Sequence, residues 1–61
     1  MFRIVLEDAQ GTVIQTLEAE CMVDIIPEAL SVWQEWKHNE CYLRMTIFED
    51  EVQLNQTSTF Q

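Results

Sequence analysis

One segment of helical periodicity lies between two pairs of strand-like segments, and this arrangement constrains the fold more than any other feature. Between residues 24 and 38, apolar residues recur at the spacing of a helix with one buried face. At roughly 100° per residue they fall within an arc of about 160°; they are Ile25, Ile26, Ala29, Leu30, Val32, Trp33 and Trp36. We predict one amphipathic helix, with Asp24 as its N-cap, Pro27 in its first turn and Asn39 as its left-handed C-terminal cap.

The segments before the helix have the alternating pattern of strands. Residues 2–7 alternate between apolar and other side chains, and residues 12–21 begin with a run of β-branched residues. In the second segment the predicted inward face carries Val13, Leu17, Ala19 and Cys21, with only Gln15 out of place. Asp8 and Gly11 lie between the two segments. Because Asp can accept a hydrogen bond from the backbone two residues on, and Gly adopts the left-handed conformation readily, these residues predict a tight hairpin turn.

The segments after the helix predict a second hairpin. Residues 41–48 alternate, residues 52–54 form a weaker strand, and the charged Glu49-Asp50-Glu51 run between them is typical of an exposed turn. The expected fold is α+β, with a small antiparallel sheet of three to four strands in β-β-α-β-β order and one amphipathic helix on one face. We assign residues 1–54 to this single domain and expect residues 55–61 to be a flexible polar tail.

The second face of such a sheet is the first functional question. One helix covers one face, and alternation places five apolar residues on the other: Val5, Ile14, Met22, Tyr42 and Phe48. Contiguous exposed apolar patches usually mark interaction sites. Unless strand twist and the tail cover it, this face predicts either a homodimer or docking to another protein.

The length of the chain argues against catalysis. A protein of 61 residues buries only about 60% of the surface that its unfolded chain exposes, which leaves little room for a deep substrate pocket. Gly11 is the only glycine, so a glycine-rich phosphate-binding loop is excluded. We expect neither an enzyme nor a cofactor.

The charge excludes other classes. With 3 Lys and Arg against 11 Asp and Glu, the formal net charge is −8. Direct binding to nucleic acid or to anionic membranes lacks the basic patch it needs. The longest apolar runs fall far short of the roughly 20 residues that span a bilayer, and no signal peptide is visible. We expect a cytoplasmic protein.

Two cysteines and one histidine are the candidate metal ligands. His38, Cys41 and Cys21 could meet with Glu40 in a zinc-type site, but paired short-spaced ligands are missing. A disulfide and a Cys41–His38 nucleophile pair are further alternatives. We favour the interpretation that both cysteines are small core residues on inward faces, and predict no metal site.

The two tryptophans also allow two interpretations. Trp33 and Trp36 lie three residues apart on the apolar side of the helix. They could form an aromatic recognition surface, but large rings are also how a very small domain acquires a core. We favour the core.

The acidic surface is the main functional indication. A broad negative potential steers association toward a basic partner surface, and such surfaces are commonest on nucleic-acid-binding proteins. We predict that a partner protein is bound through Glu18, Glu20, Glu49, Asp50 and Glu51, with Tyr42 or Phe48 as apolar anchors. The alternatives are that the acidity serves solubility alone, as in a structural homo-oligomer, or that it binds cations.

In size and charge the chain resembles small phage or mobile-element inhibitors of defence nucleases. The resemblance is one of composition, not of motif. It implies an anti-CRISPR-like or anti-restriction nucleic-acid mimic, which presents carboxylates where DNA or RNA would present phosphates. The function expected on this basis is inhibition or regulation without catalysis.

Overall fold

The computed structural model describes residues 1–60, which contain four strands and two helical segments. In chain order they are β1 (Phe2–Glu7), β2 (Val13–Ala19), a 3-10 turn (Met22–Asp24), α1 (Ile26–His38), β3 (Arg44–Glu49) and β4 (Val52–Ser58). The strands form one antiparallel sheet in the order β2-β1-β3-β4, and α1 packs on one of its faces. The predicted α+β class and element order are confirmed, with four strands.

The central position of β1 follows from its apolar side chains. Ile4 and Leu6 are 1% and 0% exposed, beneath α1. Ile4 lies opposite Leu17 of β2 on one side and Ile47 of β3 on the other. Full burial of such a side chain contributes roughly 1.5–3 kcal/mol, so β1 contributes strongly to holding both hairpins in one sheet.

Both tryptophans of α1 belong to the core. Trp33 and Trp36 are half-buried and pack against the buried cluster, to which the helix also contributes Ile25 and Ala29. The prediction that the tryptophans are core residues is confirmed. Their rings provide much of the apolar area that a domain of this size needs.

The β1–β2 turn forms as its sequence predicts. Asp8 Oδ1 accepts hydrogen bonds from the backbone N–H groups of Gln10 and Thr12, each at 2.9 Å. Gly11 has φ +83°, in the left-handed region that glycine enters without strain. The predicted roles of both residues are confirmed.

A bulge in β2 changes which face one of its residues occupies. Leu6 lies opposite Gln15 and Glu7 opposite Val13, so one residue of β2 is extra. Val13 therefore shares a face with Glu7, away from α1, and is 54% exposed, whereas we predicted it on the helix side. Gln15 remains on the helix side, where its Nε2 donates to Glu28 Oε2 at 2.7 Å.

The start of α1 differs from the prediction. Asp24 is the last residue of the 3-10 turn, and its N–H donates to Cys21 O. Ile25 takes the N-cap position, without a side-chain hydrogen bond. The assignment of Asp24 as N-cap is wrong, because the 3-10 turn extends through Asp24 and α1 begins only at Ile26, which moves the N-cap position to Ile25.

The end of α1 is a Schellman motif. Cys41 N–H donates to Trp36 O at 2.9 Å, and Glu40 N–H donates to Lys37 O at 3.0 Å. Glu40 has the positive φ, +58°, whereas Asn39 has φ −86°. The predicted left-handed cap is therefore one residue later than expected, on a glutamate.

Replacing Glu40 with Gly should stabilise the fold. A non-glycine residue in the left-handed region costs about 1–2 kcal/mol relative to its normal backbone, so Glu40→Gly should raise the free energy of unfolding by about 1 kcal/mol. Urea denaturation followed by circular dichroism measures this change. Glu40→Gln is the matched control, because it removes the same charge and keeps the strain. If both variants raised the free energy of unfolding equally, the loss of charge and not the relief of strain would be the cause.

β4 is longer than predicted and brings part of the expected tail into the sheet. Residues 55–58 pair with β3, which polar residues can do on an edge strand because one side of the strand faces solvent. Thr59 is 8% exposed; its Oγ1 accepts the Leu43 N–H at 2.9 Å and donates to Cys41 O at 3.0 Å. Gln61, the last residue of the predicted tail, lies outside the described residues.

Thr59 should be important for stability. Thr59→Val keeps the shape but leaves the buried Leu43 N–H without its acceptor, which should cost about 1–3 kcal/mol. Thr59→Ser keeps the hydroxyl and should cost less. Thermal unfolding of the two variants tests this. A Val variant as stable as the Ser variant would show that the hydroxyl is not needed.

Candidate functional site

The sheet register gathers the five predicted acidic residues at one end of the molecule. Phe2, at the start of β1, lies opposite Ala19 at the end of β2 and opposite Glu49 at the end of β3. The carboxylates next to these positions form what we call the acidic end; all are exposed, and they are Glu18, Glu20, Glu49, Asp50 and Glu51. Two acidic runs that are some 30 positions apart in the sequence thus become one surface.

Two cations offset part of this charge. The Met1 ammonium donates to Asp50 Oδ1 at 2.7 Å, and Arg3 Nη2 donates to Glu51 Oε2 at 3.0 Å. The other three carboxylates of the acidic end have no ion pair within residues 1–60. Negative charge therefore remains in excess at the acidic end.

The turn between β3 and β4 holds its acids in an unusual backbone conformation. Asp50 and Glu51, its two central residues, have φ +49° and +69°. Tight two-residue hairpins with two positive φ angles strongly prefer sequences such as Asn-Gly. Carboxylates here carry a conformational cost that glycine would avoid, as Glu40 does at the end of α1.

Carboxylates of the acidic end raise the pKa of the Met1 amine. The hydrogen bond to Asp50 raises its pKa above the usual 8.0, and the charges of Asp50, Glu20 and Glu49 act in the same direction, against some desolvation. Glu20, just beyond the end of β2, and Glu49, the last residue of β3, thus act on the same amine. Both carboxylates therefore lie close enough to the Met1 amine to favour its charged form.

Neutralising Asp50 should lower the pKa of the Met1 amine. Asp50→Asn removes the hydrogen-bonded carboxylate, so an NMR titration of Met1 should give a pKa closer to 8.0 than in the parent protein. Because the folded pKa is raised, the associated stability is present below pH 8 and lost as pH rises through the folded value. The parent should therefore lose more stability than the variant on alkalinisation. Identical titrations would contradict the Met1–Asp50 contact.

The structure separates the two predicted apolar anchors. Phe48 lies at the acidic end, on the face of the sheet away from α1, which we call the open face; the Arg3 guanidinium stacks 4.6 Å from its ring centroid. Tyr42 lies two residues before the start of β3, at the end of that strand farthest from Phe48. Phe48 joins the acidic end, and Tyr42 lies far from it.

The open face differs in composition from the predicted apolar patch. Val5 and Phe48 lie on it, but Met22 packs against the core cluster instead, so its assignment to this face is wrong. β2 ends at Ala19, and the alternation we extended to Met22 stops there. Ile14 lies within the irregularity of β2 and is 41% exposed.

Polar side chains cover much of the open face. Arg44 Nη2 donates to Glu7 Oε2 at 3.2 Å, and Gln56 Nε2 donates to Thr46 Oγ1 at 3.1 Å. Thr46 is 4% exposed in consequence. The Nε atoms of Arg3 and Arg44 are also buried, with no hydrogen-bond partner among the described residues. The arginine side chains thus cover the face that lacks a helix.

Both cysteines are exposed, so our interpretation of them as core residues is wrong. Cys21 lies beyond the end of β2, and Cys41 lies in the connection between α1 and β3, where strand alternation does not apply. Cys41 Sγ donates to Asn39 O at 3.5 Å. Within residues 1–60 no group of three or more His, Cys, Asp or Glu residues is placed to hold a metal ion.

Two small cavities lie beside α1. One, of about 250 Å³, is lined by Glu35, Trp36, Asn39 and Cys41. The second, of about 120 Å³, lies between the helix and the sheet. Sites for small molecules usually occupy about 300–1,000 Å³, so both are smaller than typical substrate pockets.

Comparison with protein-family models, curated proteins and solved structures finds no match to this chain. No helix within residues 1–60 is long and apolar enough to cross a bilayer. Met1 and Arg3 also lie at the acidic end. The sequence pattern did not identify them as part of it, because no local signal indicates that β1 pairs with β3.

Proposed function

We propose that this protein acts without catalysis, as an inhibitor or regulator whose acidic end occupies a basic, nucleic-acid-binding surface of a partner protein. The observation that carries the proposal is the meeting of two separate acidic runs at one end of the sheet. Duplex DNA presents about one negative charge per 1.7 Å of its axis. A surface that binds such a polymer offers cations to any compact acidic protein of matching shape.

The arrangement of the charges supports this proposal. Glu18, Glu20 and Glu49 project from paired strands or their immediate ends and have no ion pair within residues 1–60. Because the sheet already fixes the backbone that carries these carboxylates, binding a partner requires little further ordering of that backbone. Their field also accelerates encounter with a basic surface, and this acceleration weakens as salt is added.

Other features fit the same proposal. The small cavities favour a binding role over catalysis. The two free, exposed thiols favour a reducing compartment, and we place the protein in the cytoplasm on that basis. Small phage and mobile-element inhibitors of defence nucleases provide the analogy in size and charge.

Matched charge neutralisation tests the proposal. Glu20→Gln/Glu49→Gln removes two unpaired carboxylates of the acidic end, whereas Glu35→Gln/Glu40→Gln removes two near the C-terminal end of α1. Both variants have net charge −6, since −8 + 2 = −6. Asp50 and Glu51 stay unchanged because they hold ion pairs.

Each tagged protein is first used to capture partners from native cell extract, and the partners are eluted in a salt gradient. Each protein is then tested for its ability to displace labelled DNA or RNA from the purified partner. We expect the acidic-end variant to bind about tenfold more weakly, with a flatter salt dependence, and to displace nucleic acid poorly. The control should resemble the parent. Equal behaviour of the two variants would contradict the proposal. Recovery of the protein alone, as a salt-resistant oligomer, would favour the structural alternative.

A further inference from the structure

The helix covers only part of the sheet. A helix is about 10 Å across, and strands are about 4.8 Å apart, so one helix covers roughly two strands. The Gln15–Glu28 hydrogen bond places the first turn of α1 near β2. At the opposite edge of the sheet, the first five residues of β4 are all exposed. The helix side of β3 is therefore only partly covered, and β4 is exposed over its first five residues.

The uncovered region is an apolar groove, which we call the β3–β4 groove. Ile26 and Leu30 form its wall on α1 and are 37% and 43% exposed. Met45 and Ile47 form its floor on β3, where both are half-buried. Its cavity of about 120 Å³ is lined by apolar residues: Ile4, Ile26, Ala29, Leu30, Met45 and Ile47. That volume is about that of four water molecules, which suits a side chain of leucine size.

The outer margin of the groove is polar. Thr57 and Asn55 lie opposite Met45 and Ile47 in the register, so they occupy the helix side of β4. Directly opposite residues of antiparallel strands point to the same face. By the same rule Val52, opposite Glu49, lies on this face at the start of β4, where it is apolar and 63% exposed. Beside Met45 and Ile47, an element lying in the groove would meet apolar side chains on α1 and β3, and polar ones on β4. An amphipathic helix has this division of surface.

A second copy of this chain does not suit the groove. Its one helix turns its apolar side to its own sheet, and the residues on the opposite side are mostly polar: Pro27, Glu28, Ser31, Gln34, Glu35 and His38. Two copies would also each have net charge −8. Charge complementarity instead favours a foreign, basic occupant.

We propose that the β3–β4 groove binds an amphipathic helix with a basic polar side, supplied by the partner protein. The inference rests on the proposed function and specifies how the partner is held. The acidic end provides the long-range attraction, and the groove provides the apolar contact. Leucine-sized residues spaced three or four positions apart on the partner helix would contact Ile26, Leu30 and the cavity between α1 and β3.

A defined peptide tests this assignment. The probe is a synthetic 18-residue peptide of leucine and lysine, with the leucines at helical spacing; a scrambled peptide of equal composition controls for charge. Leu30→Asp places a charge in the groove, and Val23→Asp places the same charge at a position that is 73% exposed in the 3-10 turn. Both variants have net charge −9, since −8 − 1 = −9.

We expect the amphipathic peptide, but not the scrambled one, to become helical and bind the parent protein. Leu30→Asp should weaken binding at least about tenfold although it adds attraction for lysine, and Val23→Asp should change it less than about twofold. Isothermal calorimetry and circular dichroism give both readouts. If Leu30→Asp fails to fold, Leu30→Ala should still weaken binding several-fold. Equal affinity for the two peptides, or equal effects of the two Asp variants, would overturn the proposal.

The acidic-end variant Glu20→Gln/Glu49→Gln separates the two proposals. If the groove substitution has no effect on capture of the partner and the acidic-end variant loses it, the groove assignment fails and the proposed function stands. If the groove substitution loses the partner and the acidic-end variant keeps it, the proposed function fails. A parent protein that is dimeric by light scattering, and that Leu30→Asp makes monomeric, would assign the groove to a second copy and overturn the proposal.

Discussion

Burial of β1 beneath α1 is the interaction on which the rest of the structure depends. Ile4 and Leu6 are almost completely buried, and Ile4 contacts both neighbouring strands across the ladder. Without the pairing of β1 with β3, the two hairpins would be separate, and isolated hairpins are marginally stable in water. The same strand brings Met1 and Arg3 beside the β3–β4 turn, so the core and the candidate site depend on one element.

The limited size of the chain explains how the two sides of the sheet are covered. One helix protects about two strands on one side, leaving the β3–β4 groove beside Ile26 and Leu30. On the open face the covering is made by long polar side chains, with Arg3 stacked on Phe48. A chain with net charge −8 thus places two of its three Lys and Arg residues over that face and leaves carboxylates in excess at one end.

Local patterns predicted some elements well and others poorly, for identifiable reasons. The Asp8–Gly11 turn depends on hydrogen bonds within a few residues, and the core position of the tryptophans follows from the helical spacing of the apolar side of α1. Alternation failed where strands stop or contain a bulge, as at Val13 and at the cysteines. The arc of about 160° on α1 was wider than the helix contact with its sheet, and the residues at its edge became the wall of the groove.

The sequence by itself determined the α+β class, the element order and the excess of negative charge, because periodicity and composition are properties of neighbouring residues. Only the tertiary structure decided that Glu20 and Glu49 share one surface, and that Tyr42 lies away from it. The reason is the antiparallel pairing of β1 with both β2 and β3, which brings Met1 to Asp50, 49 positions away. Such pairing depends on how well whole strands bury their apolar sides together, which no local pattern records.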